Sequence, residues 1–241
     1  MDTRAERLQA IVLRTVPYGE SDLVVHLLVR GRGRVSAFAR GARSSRRRFG
    51  GALEPFLLVE ALLAERPGQD LWMVREAAVL DAHAGLRDDL HRIAHAGYAA
   101  ELAHELSRPA EPADGLFELL ADFLRRLAAG RPSSARLRAL ELGALEAAGL
   151  APELSVCARC AHSGALLLTA GARAALTQLQ KAGLAGAEAP LSADGSGRPA
   201  DARAFEDACA QAARPLAAFL LHHLGRVPRS AEFSDQVGAP P

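Results

Sequence analysis

The sequence predicts an α+β protein: a small five-stranded β-barrel over residues 1–81, an all-α domain over 82–230 and a flexible tail at 231–241. Three features carry that prediction. Five short apolar or alternating runs, separated by Gly- and Pro-bearing turns, fill the barrel region, a pattern of small barrels rather than of parallel sheets. From Leu86 the apolar spacing changes to three and four residues, as on amphipathic helices. Charge is also unevenly divided. Residues 1–50 hold 11 Arg against four acids, a net of +7 in a chain whose total is +1, which leaves about −6 for the remainder.

In chain order, residues 7–14 (RLQAIVLR) alternate and are β-branched enough for a strand, and 16–21 (VPYGES) follow as a turn carrying Pro17 and Gly19. Residues 23–29 are a near-continuous apolar run of strand length. Gly31 and Gly33 turn the chain into a third strand at 34–40. There the period of two sets Arg34, Ser36, Phe38 and Arg40 against Val35, Ala37 and Ala39. Pattern alone leaves open whether the Phe38 face is turned to solvent or to the core. Residues 55–63 and 71–80 give two more strands around the turn ERPGQD, though the second also has helical propensity. The five-stranded barrel that binds oligonucleotides is the OB-fold, and that architecture is expected here.

Helical spacing then predicts a first helix on Leu90, Ile93, Ala94, Tyr98, Leu102 and Leu106, ending at 107–109. A second, at 116–127, is stopped by Gly130 and Pro132, and a third, at 137–148, by Gly149. A fourth spans 172–181. Residues 183–200, rich in Gly, Ala, Ser and Pro, read as an exposed linker, and a last helix is expected at 202–224.

Hydrophobic residues make up 49% of the chain and charged residues 24%, which suits a globular protein with a good core. No apolar run is long enough to span a bilayer, and the charged start MDTRAERLQA lacks the core of a signal peptide. Three cysteines make no disulfide framework. A cytoplasmic protein is expected.

The least ordinary chemistry lies at 31–51, GRGRVSAFARGARSSRRRFGG, which holds seven Arg, no acid, and the aromatics Phe38 and Phe49. Guanidinium offers phosphate a fixed charge and forked donors. Aromatic faces among such charges offer stacking platforms for unpaired bases. The candidate DNA-binding residues are therefore Arg34, Arg40, Arg43, Arg46, Arg47 and Arg48 for phosphates, with Phe38 or Phe49 for bases. A solvated Arg-rich hairpin is the bland alternative.

Catalytic and metal signatures are weak. Cys157 and Cys160 have the spacing of half a zinc site, His162 is a possible third ligand, and no fourth is evident. His91 and His95 are spaced as in zinc proteases, but position 92, where the general base belongs, is Arg. With His83 and His104 they read as partly exposed helix histidines. Cys209 reads as a small buried hydrophobe. No phosphate-binding glycine loop and no nucleophile elbow is present. No catalytic residue and no cofactor is expected.

Three blocks in order nevertheless point to a family. AIVLRTVPYGESDLVVHLL, then GARSSRRRFGGALEPF, then GLAPELSVCARC resemble the bacterial RecO recombination mediators over roughly residues 8–230. The resemblance implies an OB-fold followed by an α-helical domain with a zinc-ribbon-like insertion, here at 151–170. It implies binding of single- and double-stranded DNA, annealing of complementary strands, and no enzymatic turnover. The implied partners are RecR, the acidic C-terminal tail of single-stranded-DNA-binding protein (SSB) and, indirectly, RecA, which is loaded onto coated gaps near the nucleoid. Family members often carry two CxxC pairs. Here LLLTAGARAAL stands where the second should be, so the insertion is expected to be degenerate and metal-free. For the acidic tail, Arg125, Arg126, Arg131, Arg136 and Arg138 are candidates. A different class, an RNA-binding or structural interaction module on the same barrel, is the alternative.

Overall fold

The computed structural model describes residues 5–66, 68–154, 166–188, 199–226 and 230. Five strands, β1 (Ala5–Tyr18), β2 (Asp22–Val29), β3 (Gly33–Ala39), β4 (Leu58–Ala64) and β5 (Leu71–Asp81), close into a barrel of order β1-β2-β3-β5-β4. Every strand of the circle has two neighbours, and β1, the longest, divides its length between them. Its first half pairs with β4, from Ala5↔Ala64 to Ile11↔Leu58, and its second half pairs with β2 out to Tyr18↔Asp22. A bulge between Val12 and Arg14 bends it between the two, as an extra residue in a ladder does. Phe56 and Leu57 brace that bend by backbone hydrogen bonds to Val12. A short parallel contact, β3 with β5 at Ser36–Phe38 against Leu71–Met73, completes the circle.

Strict alternation fills the barrel. Ala10, Val12, Val25, Leu27, Val29, Val35, Ala37, Ala39, Val59, Ala61, Leu63 and Val74 face inward and are buried. The first strand runs to Tyr18, into the turn expected at residues 16–21, because Val16 and Tyr18 continue the period of two begun by Arg14.

Among the described residues six helices follow a 3₁₀ turn at Ala84–Asp88: α1 (Leu90–Leu106), α2 (Asp114–Ala129), α3 (Ser134–Ala147), α4 (Ala170–Gly186), α5 (Pro199–Gln211) and α6 (Ala213–Leu224). Asp89, Ser133 and Thr169 cap α1, α3 and α4 by accepting from the backbone N–H of His91, Arg136 and Ala172. Two expectations change. The single helix expected at 202–224 is broken at Ala212, because Pro215 has no N–H to give Gln211 and its ring crowds that carbonyl. The expected linker at 183–200 begins later, since α4 continues past a kink at Gly183 (φ 58°) to Gly186. Residues 189–198 and the tail at 231–241 lie outside the described residues, as do Cys157, Cys160 and His162.

Barrel and helices share one core. Ile11, Leu13 and Leu28 point out of the barrel and pack with Phe117, Phe123, Leu124 and Leu102. The β2–β3 turn is clamped to the helical side. Arg30 lies over the Phe117 ring at 4.8 Å and pairs with Glu118, while the Gly31 N–H donates to Asp114 Oδ1 at 2.7 Å. Ala110 N–H donates to the Arg34 carbonyl, and Gly33 (φ 67°) sits so close that a Cβ would fall 1.8 Å from the Glu111 oxygen.

Candidate nucleic-acid interface

The opposite end of the β2–β3 hairpin carries the charge. After Ala39 the chain enters a series of turns that run to β4. Asp22 Oδ1 accepts the Gly41 N–H at 2.6 Å, and the Arg43 N–H donates to Ser21 O, so the loop is docked on the β1–β2 turn. Arg43 Nη1 adds a bond to the Glu20 carbonyl at 3.1 Å. Arg48 closes the loop from within. Its Nη2 donates to Arg40 O at 2.8 Å, its Nε donates to Ser45 Oγ at 3.1 Å, and its guanidinium covers the Phe49 ring at 5.0 Å. Farther on, Ala77 N–H donates to Arg48 O, tying the loop to β5.

Phe49 is not a stacking platform. It is 3% exposed and joins Ala52, Leu53 and Leu57 in plugging the barrel. The sequence suggested an aromatic among arginines. The fold uses it as a stopper, and the arginines ring the outside.

The candidate residues divide. Arg40, Arg46 and Arg47 are exposed, and their side chains make no hydrogen bond or ion pair among the described residues. Arg43 and Arg48 are exposed but hold the loop together. Phe38 faces outward, half-buried, with its ring edge-on to Tyr18 at 5.6 Å. Arg34 is drawn away to the seam with the helices, where Nη1 lies 3.0 Å from His104 Nε2 and its Nε is buried without a partner. Beside the rim, Arg7, Ser45, Arg47, Arg48 and Glu76 line an open cleft of about 560 Å³.

Sequence reasoning missed Tyr18 and Arg14. Both lie on the outer face of β1, and Tyr18 is 60% exposed. Continued alternation past Pro17 was the signal that could have found them. Arg14 Nη2 donates to His26 Nε2 at 3.1 Å, which leaves His26 Nδ1 to carry the proton and donate to Ser36 Oγ at 3.0 Å. Burial, then the cations Arg14 and Arg34 and the ring of His104, push the His26 pKa down to about 4. His26 is therefore neutral near pH 7 and orients Arg14 without adding charge.

Of the four histidines expected to be partly exposed, His91 and His104 are, whereas His83 and His95 are buried. His95 is 6% exposed in the helical core, and burial followed by Arg138 lowers its pKa to about 4. His83, 4% exposed, bonds to Phe56 O at 2.8 Å. Of the arginines considered for an acidic tail, Arg136 and Arg138 are also buried. Arg136 Nη1 donates to Arg131 O at 2.6 Å and its Nη2 faces Glu188, while Arg138 pairs with Glu141. Arg126 is paired with Asp122 and Glu188. Arg125, which pairs with Asp122, and Arg131 remain exposed. Cys209 is fully buried, and burial pushes its thiol up to about 12. Among the described residues no cluster of His, Cys, Asp or Glu could hold a metal, and no helix is long and apolar enough to cross a membrane.

Fold and charge define a class: a small closed barrel with a cationic rim, fused through a shared core to an all-α domain. Comparison with known proteins makes the class particular. The family model described as "Recombination protein O N terminal" matches residues 1–83, and "Recombination protein O C terminal" matches 87–232. DNA repair protein RecO of Anaeromyxobacter sp. strain K is 49% identical over 257 aligned positions, covering 96% of each chain. That of Anaeromyxobacter sp. strain Fw109-5 is 46% identical over 98% of each, and that of Myxococcus xanthus 40% identical over 95% of this chain and 96% of its own. The chain belongs to the RecO family.

Proposed function

We propose that this protein is a recombination mediator of DNA repair that holds polynucleotide on the rim of its barrel. The observation that carries the site is the set Arg40, Arg46 and Arg47: exposed guanidiniums without a hydrogen bond or ion pair among the described residues, on a loop that is itself firmly anchored. Exposed guanidiniums gathered on one anchored loop present a positive field that a polyanion can satisfy. Arg43 and Arg48 add their field while keeping the loop in shape, and Phe38 offers a ring beside it. Arg34, from the same stretch, serves the seam with α1 instead.

Such a surface is blind to sequence, since it meets phosphates and reads no base edge. It can hold single and double strands, and it can bring two complementary strands together while screening their repulsion. Annealing follows from that, with no bond made or broken by the protein, which is not an enzyme. The strand order, with β3 parallel to β5 and β1 shared between β2 and β4, supports an OB-fold for residues 1–81.

The helical domain, 82–230 with a degenerate zinc-ribbon-like insertion at 151–170, is the docking side for RecR and for the SSB tail. Arg125 and Arg131, exposed on α2 and just after it, are the cations left for a carboxylate-ended peptide. Together these contacts let the protein help RecA onto coated single strands. The test is annealing of complementary oligonucleotides by the full chain, with and without RecR and SSB-coated strands. Arg40→Ala/Arg46→Ala/Arg47→Ala should lose annealing while keeping a native melting transition. Retained annealing in that variant would remove the rim from the site.

A further inference from the structure

We propose that Tyr18, in perpendicular ring contact with Phe38 on the outward face that also carries Arg14 and ends at Arg40, stacks an unpaired base and gives the rim a preference for single strands. This rests on the polynucleotide-binding role of the rim and adds the means by which it tells an open strand from a duplex.

The register lays out the outer face of β1, β2 and β3 in rows. Tyr18 stands opposite Asp22 at the end next to the arginine loop. Val16, Val24 and Phe38 make the next row, and Arg14, His26 and Ser36 the one after. Beyond them Leu28 and Arg34 pass under the helices. The face is thus open only at its loop end. There Tyr18 and Val16 stand 60% and 40% exposed at successive outward positions of one strand. Single exposed apolar side chains are ordinary on a protein surface. These are not single: the Phe38 ring lies 5.6 Å from Tyr18 at an interplanar angle of 85°, a perpendicular contact that steadies the Tyr18 ring while the residue stays largely exposed.

Charge decides the occupant. Among the described residues the Arg40 side chain, just past the end of β3, makes no hydrogen bond or ion pair, Arg43 bonds to the Glu20 carbonyl on the turn, and Arg14, farther back on β1, has the imidazole of His26 as its side-chain partner. On the acidic side, the Asp22 carboxylate is engaged by Gly41 N–H and Ser21 Oγ, and Glu20 remains exposed on the turn. An apolar protein surface would have to desolvate three guanidiniums to reach the ring. A single strand satisfies both parts, bases on the ring and phosphates on the arginines. In a duplex each base already has neighbours on both faces, so Tyr18 has nothing to receive. The arginines still do.

The experiment uses the full chain, a fluorescent oligothymidylate containing 2-aminopurine, and a duplex of the same length. Tyr18→Ala should weaken single-strand binding about 5- to 150-fold, the span of one base–aromatic stack. It should leave duplex affinity within about twofold and abolish the change in 2-aminopurine emission. Tyr18→Phe should keep both. Undiminished single-strand binding by Tyr18→Ala, or an equal loss on both substrates, overturns the platform. If Arg40→Ala/Arg46→Ala/Arg47→Ala weakens both substrates in the same series, the rim stands without it. If that variant also binds normally, the rim itself has failed and the platform with it.

Discussion

Arg47 and Arg48 are neighbours in a run of three, yet the fold gives them different work. Arg48 donates into its own loop and covers Phe49, so Arg48→Ala should cost about 1 kcal/mol of stability and loosen the rim. Arg47 makes no side-chain hydrogen bond or ion pair among the described residues, so Arg47→Ala should leave the melting temperature unchanged. It should flatten the salt dependence of single-strand binding by about 0.7, the share of one phosphate contact. Alternation made Phe38 and Arg40 legible as one face of a strand. The fate of Arg34 was not legible, because His104, 70 residues away, decides it. Nor was that of Phe49, whose partners are the barrel interior rather than its sequence neighbours. His95 makes a second residue-scale prediction. Its folded pKa, near 4, lies below the unfolded value of 6.5, so the unfolded chain takes up the proton first as pH falls. Stability should drop between pH 6.5 and 4 and level off below, by about 2–3 kcal/mol from this group between pH 7 and 4.5. Urea melts at the two pH values should show the drop, and His95→Leu should reduce it; an equal drop in that variant would place the proton elsewhere.

At the scale of elements, the β2–β3 turn is where barrel and helices lock. Gly33 has positive φ and no room for a methyl group against the Glu111 carbonyl. Gly33→Ala should therefore cost at least about 2 kcal/mol and raise amide exchange at the start of α2. Unchanged stability there would mean the turn and the 108–111 segment part easily. Strand positions came through in the sequence because alternation with buried valines and alanines is a local signal. The extra reach of β1 did not, since Pro17 and Gly19 masked a strand that continues to Tyr18. The break between α5 and α6 was legible in principle from Pro215 but was overridden by the apolar spacing around it.

The whole molecule separates its charge in space. One end of the β2–β3 hairpin is pinned to α2 by Arg30 and Gly31, and the other leads into the arginine loop, so the proposed polynucleotide site lies away from the contact with α2. The excess of +7 in the first 50 residues announced that division, although not which guanidiniums would remain unpaired. Binding that depends on those few charges must depend on salt, because each phosphate neutralised releases counterions. The most direct measurement is the slope of log affinity against log salt for single-stranded DNA, in the native chain and in Arg40→Ala/Arg46→Ala/Arg47→Ala. Three phosphate contacts predict a slope flatter by about 2 with an unchanged melting temperature, whereas an unaltered slope would contradict a polynucleotide site at the barrel rim.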